Sequence, residues 1–177
     1  MKKILSLVFL LCCTFFSSTA FSQSVSLKTE YLMTLEAKLD LPFVATSSLL
    51  IFNVPAATVS GPNIKGTLLN PTADWGQVLP TGVFRLDVRG IIKTDDGEII
   101  YISYNGVIKQ SEKSNAKFSK GEEITPDDGV YFMTAPTFQT TSKKYDYLNG
   151  IQTIGKMIRA RLSPDSAYVH YDIFSVK

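Results

Sequence analysis

The chain has 177 residues, with 18 Lys and Arg against 16 Asp and Glu, two cysteines and a single histidine. This near balance, with lysines scattered along the chain, excludes the basic stripe with which a protein follows phosphates, so we expect no nucleic-acid partner. A single histidine excludes a His-based metal triad, and no motif of a cofactor-binding loop is present, so we expect neither metal nor cofactor.

The first 22 residues have the pattern of a cleavable secretory signal peptide. Lys2 and Lys3 give a positive start, residues 4–16 are apolar, and small residues follow at 17–22. An apolar run of about 13 residues is shorter than the roughly 20 that a membrane-spanning helix needs. We therefore predict cleavage before Gln23, export to a periplasm or to the cell exterior, and no transmembrane span in the mature chain.

The predicted leader also carries Cys12 and Cys13, the two cysteines of the chain, so the mature protein is expected to have no thiol chemistry. Lys2 and Lys3 account for the formal net charge of +2, and residues 23–177 are formally neutral. The remaining chain, about 155 residues without an internal repeat, fits one domain. Its oligomeric state is not indicated by the sequence.

The first half of the mature chain predicts strands separated by turns. Residues 26–39 alternate apolar and polar side chains, which predicts a long strand with one face in solvent. Further strands are predicted over 48–54 and 64–69, with a turn at 60–63 between them. The Asn70-Pro71 pair is expected to end the last of these strands.

The second half predicts a long hairpin and then three more strands. The hairpin comprises residues 82–93 and 98–109 around an Asp-Asp-Gly turn. The polar stretch 111–120 is interpreted as a mobile loop. The other predicted elements are a turn at 127–129, a strand at 130–134, one helical turn within 143–148, and strands at 151–161 and 167–176.

These elements predict an all-β domain with almost no helix. A single antiparallel β-barrel of about eight to ten strands hides its edges best, and its interior would be filled by side chains or hold one small ligand. Its shape would be lipocalin-like or allene-oxide-cyclase-like. A two-sheet β-sandwich is the alternative.

Several motifs occur in an order and spacing that resemble a known family. They are Gly61-Pro62 with Gly66, Ala73-Asp74-Trp75, residues 85–89, residues 95–101 with Gly106, Tyr131-Phe132, residues 136–138, residues 145–149, and the strand around Tyr171. On these motifs the chain resembles the bacterial and fungal uncharacterised protein family 0311, or domain of unknown function 3237. The resemblance implies a β-barrel and carries no general activity.

Charged residues alternate along one predicted strand. Arg85, Asp87 and Arg89 share one face, and Phe84, Leu86 and Val88 share the other. If the charged face pointed into a barrel, two guanidinium groups around a carboxylate would bind an anion such as a carboxylate or phenolate. The other interpretation is a solvated outer face with cross-strand pairs.

Asp74 and Trp75 lie between turn-forming residues, so we place them near the mouth of the predicted barrel. There Asp74 would act as a general base, as would Asp87 if it faced inward, and Trp75 would be a wall for a flat ligand. The structural alternative is that Asp74 caps a turn and Trp75 plugs the barrel end.

Aromatic and amide residues complete the predicted site. A phenol can donate a proton or stabilise an enolate, although tyrosines in strands are commonly packing residues. The candidate ligand-binding residues are Trp75, Arg85, Asp87, Arg89, Tyr101, Tyr131, Phe138, Tyr147 and Asn149.

The sequence thus favours an exported barrel that binds a small aromatic or carboxylate-bearing molecule. A cofactor-independent isomerase, cyclase or hydratase acting in the barrel, with Asp74 or Asp87 as its base, is the second hypothesis. A structural or interaction module of the cell envelope is the third.

Overall fold

The computed structural model describes residues 25–177. The predicted signal peptide, its cleavage site and both cysteines lie outside the described residues. Within that range no helix is both long and apolar enough to cross a membrane.

Ten strands and one short α-helix form the described chain. The strands are β1 (Thr29–Lys38), β2 (Phe43–Val44), β3 (Leu49–Asn53), β4 (Ala56–Ser60), β5 (Lys65–Val78), β6 (Phe84–Thr94), β7 (Ile99–Lys109), β8 (Tyr131–Gln139), β9 (Gln152–Arg161) and β10 (Tyr168–Val176). Helix α1 covers Glu112–Phe118, and 3-10 turns cover Pro126–Asp128 and Asp146–Gly150.

The strands close into an antiparallel barrel of eight strands, which confirms the predicted fold class. The ring runs β1, β4, β5, β6, β7, β8, β9, β10 and back to β1. Outside their bulges, the barrel strands follow the period of two that alternation predicts, with one face in the core. Strands β2 and β3 extend the sheet beside the second half of β5, where Phe52 pairs with Asp74.

The predicted strand end at Asn70-Pro71 is wrong. Strand β5 runs through this pair and binds β6 on both sides of it, with a shift of register between Leu69 and Ala73. Pro71 lacks an N–H group, and a bulge is the place in a strand where that donor is not needed. Because the strand continues, Asp74 and Trp75 lie in β5 and not in a turn at the mouth.

A second bulge corrects the interpretation of the first strand. The pairing of β1 with β10 shifts between Tyr31 and Met33. From Met33 onward alternate side chains are buried, whereas Tyr31 is exposed and its hydroxyl contacts Thr34 Oγ1 at 2.7 Å. The inward face predicted for residues 27–39 therefore begins only at Met33.

One half of the barrel is solid. Its fully buried side chains come from β1, β6, β7, β9 and β10 and from the 3-10 turn that covers this end: Met33, Ile92, Ile100, Ile102, Leu148, Met157 and Ile173. At the opposite end the barrel is hollow and is covered by residues 111–129, which we call the cap segment.

The cap segment contains α1, where the sequence predicted a mobile loop. Ser111 begins the helix because its side chain accepts the Ser114 N–H at 3.0 Å, while Ser114 Oγ accepts the Ser111 N–H at 2.8 Å. This reciprocal capping gives partners to backbone N–H groups that would otherwise be unpaired at the start of the helix. A bridge between Ile124 and Ala160 joins the segment to β9.

Candidate functional site

The hollow end contains a cavity of about 310 Å³. Its wall is mainly apolar and includes aromatic rings from β3, β6, β7, β8 and β10, among them Phe52, Phe84, Tyr104, Phe132 and Tyr171. Phe52 and Phe84 meet edge to face at 6.1 Å between ring centroids, and Phe132 and Tyr171 do so at 5.5 Å. These contacts fix the rings in the orientation that aromatic pairs prefer.

Asp74 is the carboxyl group in this wall. Strand β5 turns it inward, and it is only 7% exposed. One oxygen, Oδ1, accepts the backbone N–H of Asp87 on β6 at 3.0 Å. Burial, helped by the negative charge of Asp87 and opposed by the hydrogen bond from the Asp87 N–H, raises the pKa of Asp74 to about 7. Asp74 can therefore hold or release a proton near neutral pH.

The phenols of Tyr104 and Tyr171 lie near Asp74 in the cavity wall. The rings of Tyr104 and Tyr171 pack edge to face at 6.1 Å. Burial raises the pKa of both phenols above its ordinary range, and the negative charge of Asp74 adds to the shift. Both phenols thus remain protonated and can donate or accept a hydrogen bond.

A glycine on β5 makes room for one of the rings. A Cβ atom at Gly76 would lie 1.9 Å from the Phe84 ring. The side chain of Phe84 therefore crosses the strand at this point, beside Asp74 on the same inward face. Any larger residue at position 76 would push this ring into the cavity.

The cap segment and β9 form the mouth of the cavity. Asn115 and Phe118 contribute to the wall from the cap segment, and Arg161 contributes from β9. Arg161 Nε donates to the Gly121 carbonyl at 2.7 Å, and the Tyr168 hydroxyl donates to Glu123 at 2.5 Å. These bonds attach the cap segment to the barrel on one side.

An ion-pair cluster holds the cap segment together. The buried Asp128 carboxylate receives Lys113 and Lys117, each at 2.8 Å, and the Thr125 N–H at 3.0 Å. The two lysines hold the pKa of Asp128 well below its usual range. We call Asp128, Lys113 and Lys117 the cap clamp.

Of the two orientations considered for Arg85, Asp87 and Arg89, the structure shows the solvated outer one. Their side chains lie on the outer face of β6, where Arg89 and Asp87 pair at 3.3 Å and are 61% and 44% exposed. Leu86 and Val88 occupy the inner face and are buried. Burial of Leu86 and Val88 is favourable, whereas burial of the charged side chains between them costs free energy. The apolar face of β6 therefore turns inward.

The other predicted site residues also lie away from the cavity. Trp75, Tyr101 and Tyr131 project from the outer face of the barrel, with Trp75 42% exposed. Phe138 packs in the solid half. Tyr147 and Asn149 belong to the loop at the solid end, where the Asn149 amide bonds both the N–H and the C=O group of Thr140.

Of the predicted candidates, only Asp74 lies in the cavity wall. No local signal in the sequence had indicated a site role for Phe52, Phe84, Phe132 or Arg161, and Tyr104 and Tyr171 were not among the predicted ligand-binding residues. The alternation of Ile100, Ile102 and Tyr104 along β7 was a usable signal, because it puts all three on the inner face. No local pattern in the sequence marks the convergence of these rings from separate strands.

The fold and this interior define the class: a small, closed antiparallel β-barrel, capped at one end, with an internal cavity. Residues 27–176 match the family described as protein of unknown function (DUF3237), so the chain belongs to that family, as the sequence motifs indicated.

The chain is similar to proteins from three organisms. A UPF0311 protein of Clostridium acetobutylicum is 38% identical over 90 residues, which are 51% of this chain and 56% of that protein, so the match spans about half of its length. A crystal structure from Rhodopseudomonas palustris has a TM-score of 0.77 and 25% identity, covering 87% of this chain and 99% of that one. A beta-barrel like protein from Acinetobacter baumannii has a TM-score of 0.68 and 26% identity, covering 88% and 99%.

Proposed function

We propose that the protein binds a small, largely apolar organic molecule in the hollow end of its barrel. The main support is the cavity of about 310 Å³, whose apolar wall surrounds one buried carboxyl group. Ligand pockets have volumes of about 300 to 1,000 Å³ and combine apolar walls with a few polar groups. The aromatic rings of the wall favour an aromatic ligand. The carboxylate-bearing ligand loses its support, because it depended on Arg85 and Arg89, which lie outside the barrel.

A neutral aromatic probe tests this proposal. We expect indole to shift the amide NMR signals of residues around the cavity, such as Val88 and Tyr171, and not those of the solid end. Val88→Phe and the milder Ala37→Leu fill the cavity and should abolish the shifts. Val107→Phe, on the outer face of β7, is the matched control and should keep them. Unchanged binding in both folded filling variants would refute an interior site.

Asp74 supports a second candidate function, a cofactor-independent enzyme that transfers a proton. A general base is most effective when its pKa lies near the working pH, and burial raises the pKa of Asp74 to about 7. The phenols of Tyr104 and Tyr171 are the adjacent groups that can stabilise a developing oxyanion.

The base elimination of 5-nitrobenzisoxazole measures this activity without knowledge of the natural substrate. A carboxylate removes the proton on C3, the N–O bond breaks, and a cyanophenolate is released. We expect kcat/KM to rise with pH and level off above about 7. Asp74→Asn should lower it about 100-fold or more, and Asp87→Asn, which leaves the backbone donor in place, should not. Equal rates in the parent and Asp74→Asn would rule out this role for Asp74.

We also propose that the protein is exported after removal of residues 1–22. The charged start, apolar centre and small residues of this segment support the proposal. Expression with a C-terminal tag followed by cell fractionation and N-terminal sequencing tests it. We expect a mature protein outside the cytoplasm that starts at Gln23; an intact Met1 terminus on cytoplasmic protein would contradict it.

A further inference from the structure

Two acceptor atoms of the cavity wall lack a donor within the described residues. Asp74 Oδ1 accepts the Asp87 N–H, but within residues 25–177 no donor reaches Oδ2. The Gln110 Oε1 atom is buried at the mouth and likewise accepts no hydrogen bond in the described chain. A buried acceptor without a donor costs free energy, so a ligand that donates to Asp74 Oδ2 would remove that cost.

Within the described residues, Asp74 also has no positively charged partner in the cavity. Five titratable residues face it: Asp74, Tyr104, Arg161, Tyr168 and Tyr171. The Arg161 Nε group is bonded to the Gly121 carbonyl at the mouth, and no described lysine or arginine forms an ion pair with Asp74. Asp87, behind the wall on β6, adds negative charge and raises the pKa of Asp74. An ionised Asp74 thus lacks a cationic partner.

The aromatic wall suits a positive charge. The faces of aromatic rings carry partial negative charge and attract ammonium groups within about 6 Å of the ring centroid. Rings from five strands surround the cavity that Asp74 enters. A carboxylate and several rings together replace the hydration that an ammonium group loses on burial.

We propose that the ligand is a compact protonated amine with an apolar, preferably aromatic body, and that its ammonium group binds Asp74. The proposal rests on the proposed binding function and specifies its ligand class. The ammonium N–H groups would supply the donor that Asp74 Oδ2 lacks. A carboxylate-bearing ligand would bring a second negative charge to Asp74 and is disfavoured.

Three probes with one body and different head groups provide the test: 2-phenylethylamine, 2-phenylethanol and phenylacetate, titrated by calorimetry at pH 8. We expect the amine to bind about tenfold more tightly than the alcohol, and phenylacetate to bind least. The amine affinity should fall about tenfold between pH 8 and pH 6, as Asp74 takes up its proton. The alcohol affinity should change little.

Matched variants distinguish the proposed amine class from the broader proposal that small molecules bind inside the barrel. Asp74→Asn should weaken the amine about 10- to 100-fold and the alcohol by clearly less, whereas the exposed Asp87→Asn should have little effect on either. If Asp74→Asn does not fold, the pH dependence of the parent decides. Equal or tighter binding of the alcohol or of phenylacetate overturns the amine class and leaves interior binding intact. If none of the three probes binds, the amine class and the binding of small aromatic molecules fail together.

Discussion

At the scale of single residues, Asp74 joins function to stability. Its pKa in the folded chain is about 7, against an ordinary value of 3.8. Below pH 3.8 the Asp74 carboxyl is neutral in both the folded and the unfolded state. Between pH 3.8 and about pH 7 the folded state keeps a proton that the unfolded state has released. The stability that the neutral carboxyl contributes is therefore lost as the pH rises toward and through 7.

We expect Asp74→Asn to remove this pH dependence. The variant should be more stable than the parent at pH 9, by up to about 4 kcal/mol, and close to it at pH 4. Urea unfolding at both pH values measures the difference in the free energy of unfolding. Asp87→Asn serves as the control, because its side chain is exposed. A variant with the same pH slope as the parent would show that Asp74 ionises normally.

At the scale of elements, the cap segment is held in place mainly by side-chain contacts and not by the hydrogen bonds between barrel strands. Helix α1 is too short to be stable by itself. Its position depends on the cap clamp, on the Ser111 hydroxyl bond to the Asp128 carbonyl at 2.6 Å, and on the contacts of Arg161 and Tyr168. A segment held this way is expected to open locally before the barrel unfolds.

Loss of the cap clamp should loosen this segment alone. We expect Asp128→Asn to increase amide hydrogen exchange across residues 111–129 at pH 7 and to leave β6 and β7 unchanged, because the variant loses both charged bonds from Lys113 and Lys117. Asp127→Asn, on the exposed side of the same turn, is the control. Exchange that rises equally in both variants would show that the ion pairs do not hold the cap segment.

At the scale of the whole molecule, one half of the barrel interior is closely packed and the other half contains the cavity. The solid half supplies close packing, while the hollow half leaves side chains with missing neighbours. Strand β7 passes through both halves: Ile102 is 1% exposed in the solid half, and Ile108 lines the cavity.

These two isoleucines allow a matched comparison on one strand. We expect Ile102→Ala to lower the free energy of unfolding by about 3 to 5 kcal/mol and Ile108→Ala by about 1 to 2 kcal/mol, because a side chain beside an existing cavity has fewer contacts to lose. Denaturant unfolding of both variants measures this. Equal losses would mean that the hollow half is packed as tightly as the solid one in solution.

The fold could be predicted from the sequence in most of its elements. The β6–β7 hairpin and strands β9 and β10 occur within two residues of their predicted bounds, since their alternation and their turns are local signals. Strand β4 and helix α1 were missed. Strand β4 has five residues and α1 has seven, and segments this short show little periodicity.

The candidate site was predicted only in part. Asp74 was proposed as a base, but in a turn at the mouth, because Pro71 was taken to end the strand. The period of two shows that Arg85, Asp87 and Arg89 share one face of a strand. It does not show whether that face points into the barrel or into solvent. The free energy of burying Leu86 and Val88 decides that direction.

The sequence by itself thus determined the class of fold, through alternation, turn residues and family motifs, all of which act over a few residues. Only the tertiary structure decided which end is hollow and what surrounds Asp74. Phe52, Tyr104, Phe132 and Tyr171 come from four separate strands, and closure of the ring brings them around one carboxyl group. The burial that raises the pKa of Asp74 arises from that closure and is not a property of any segment alone.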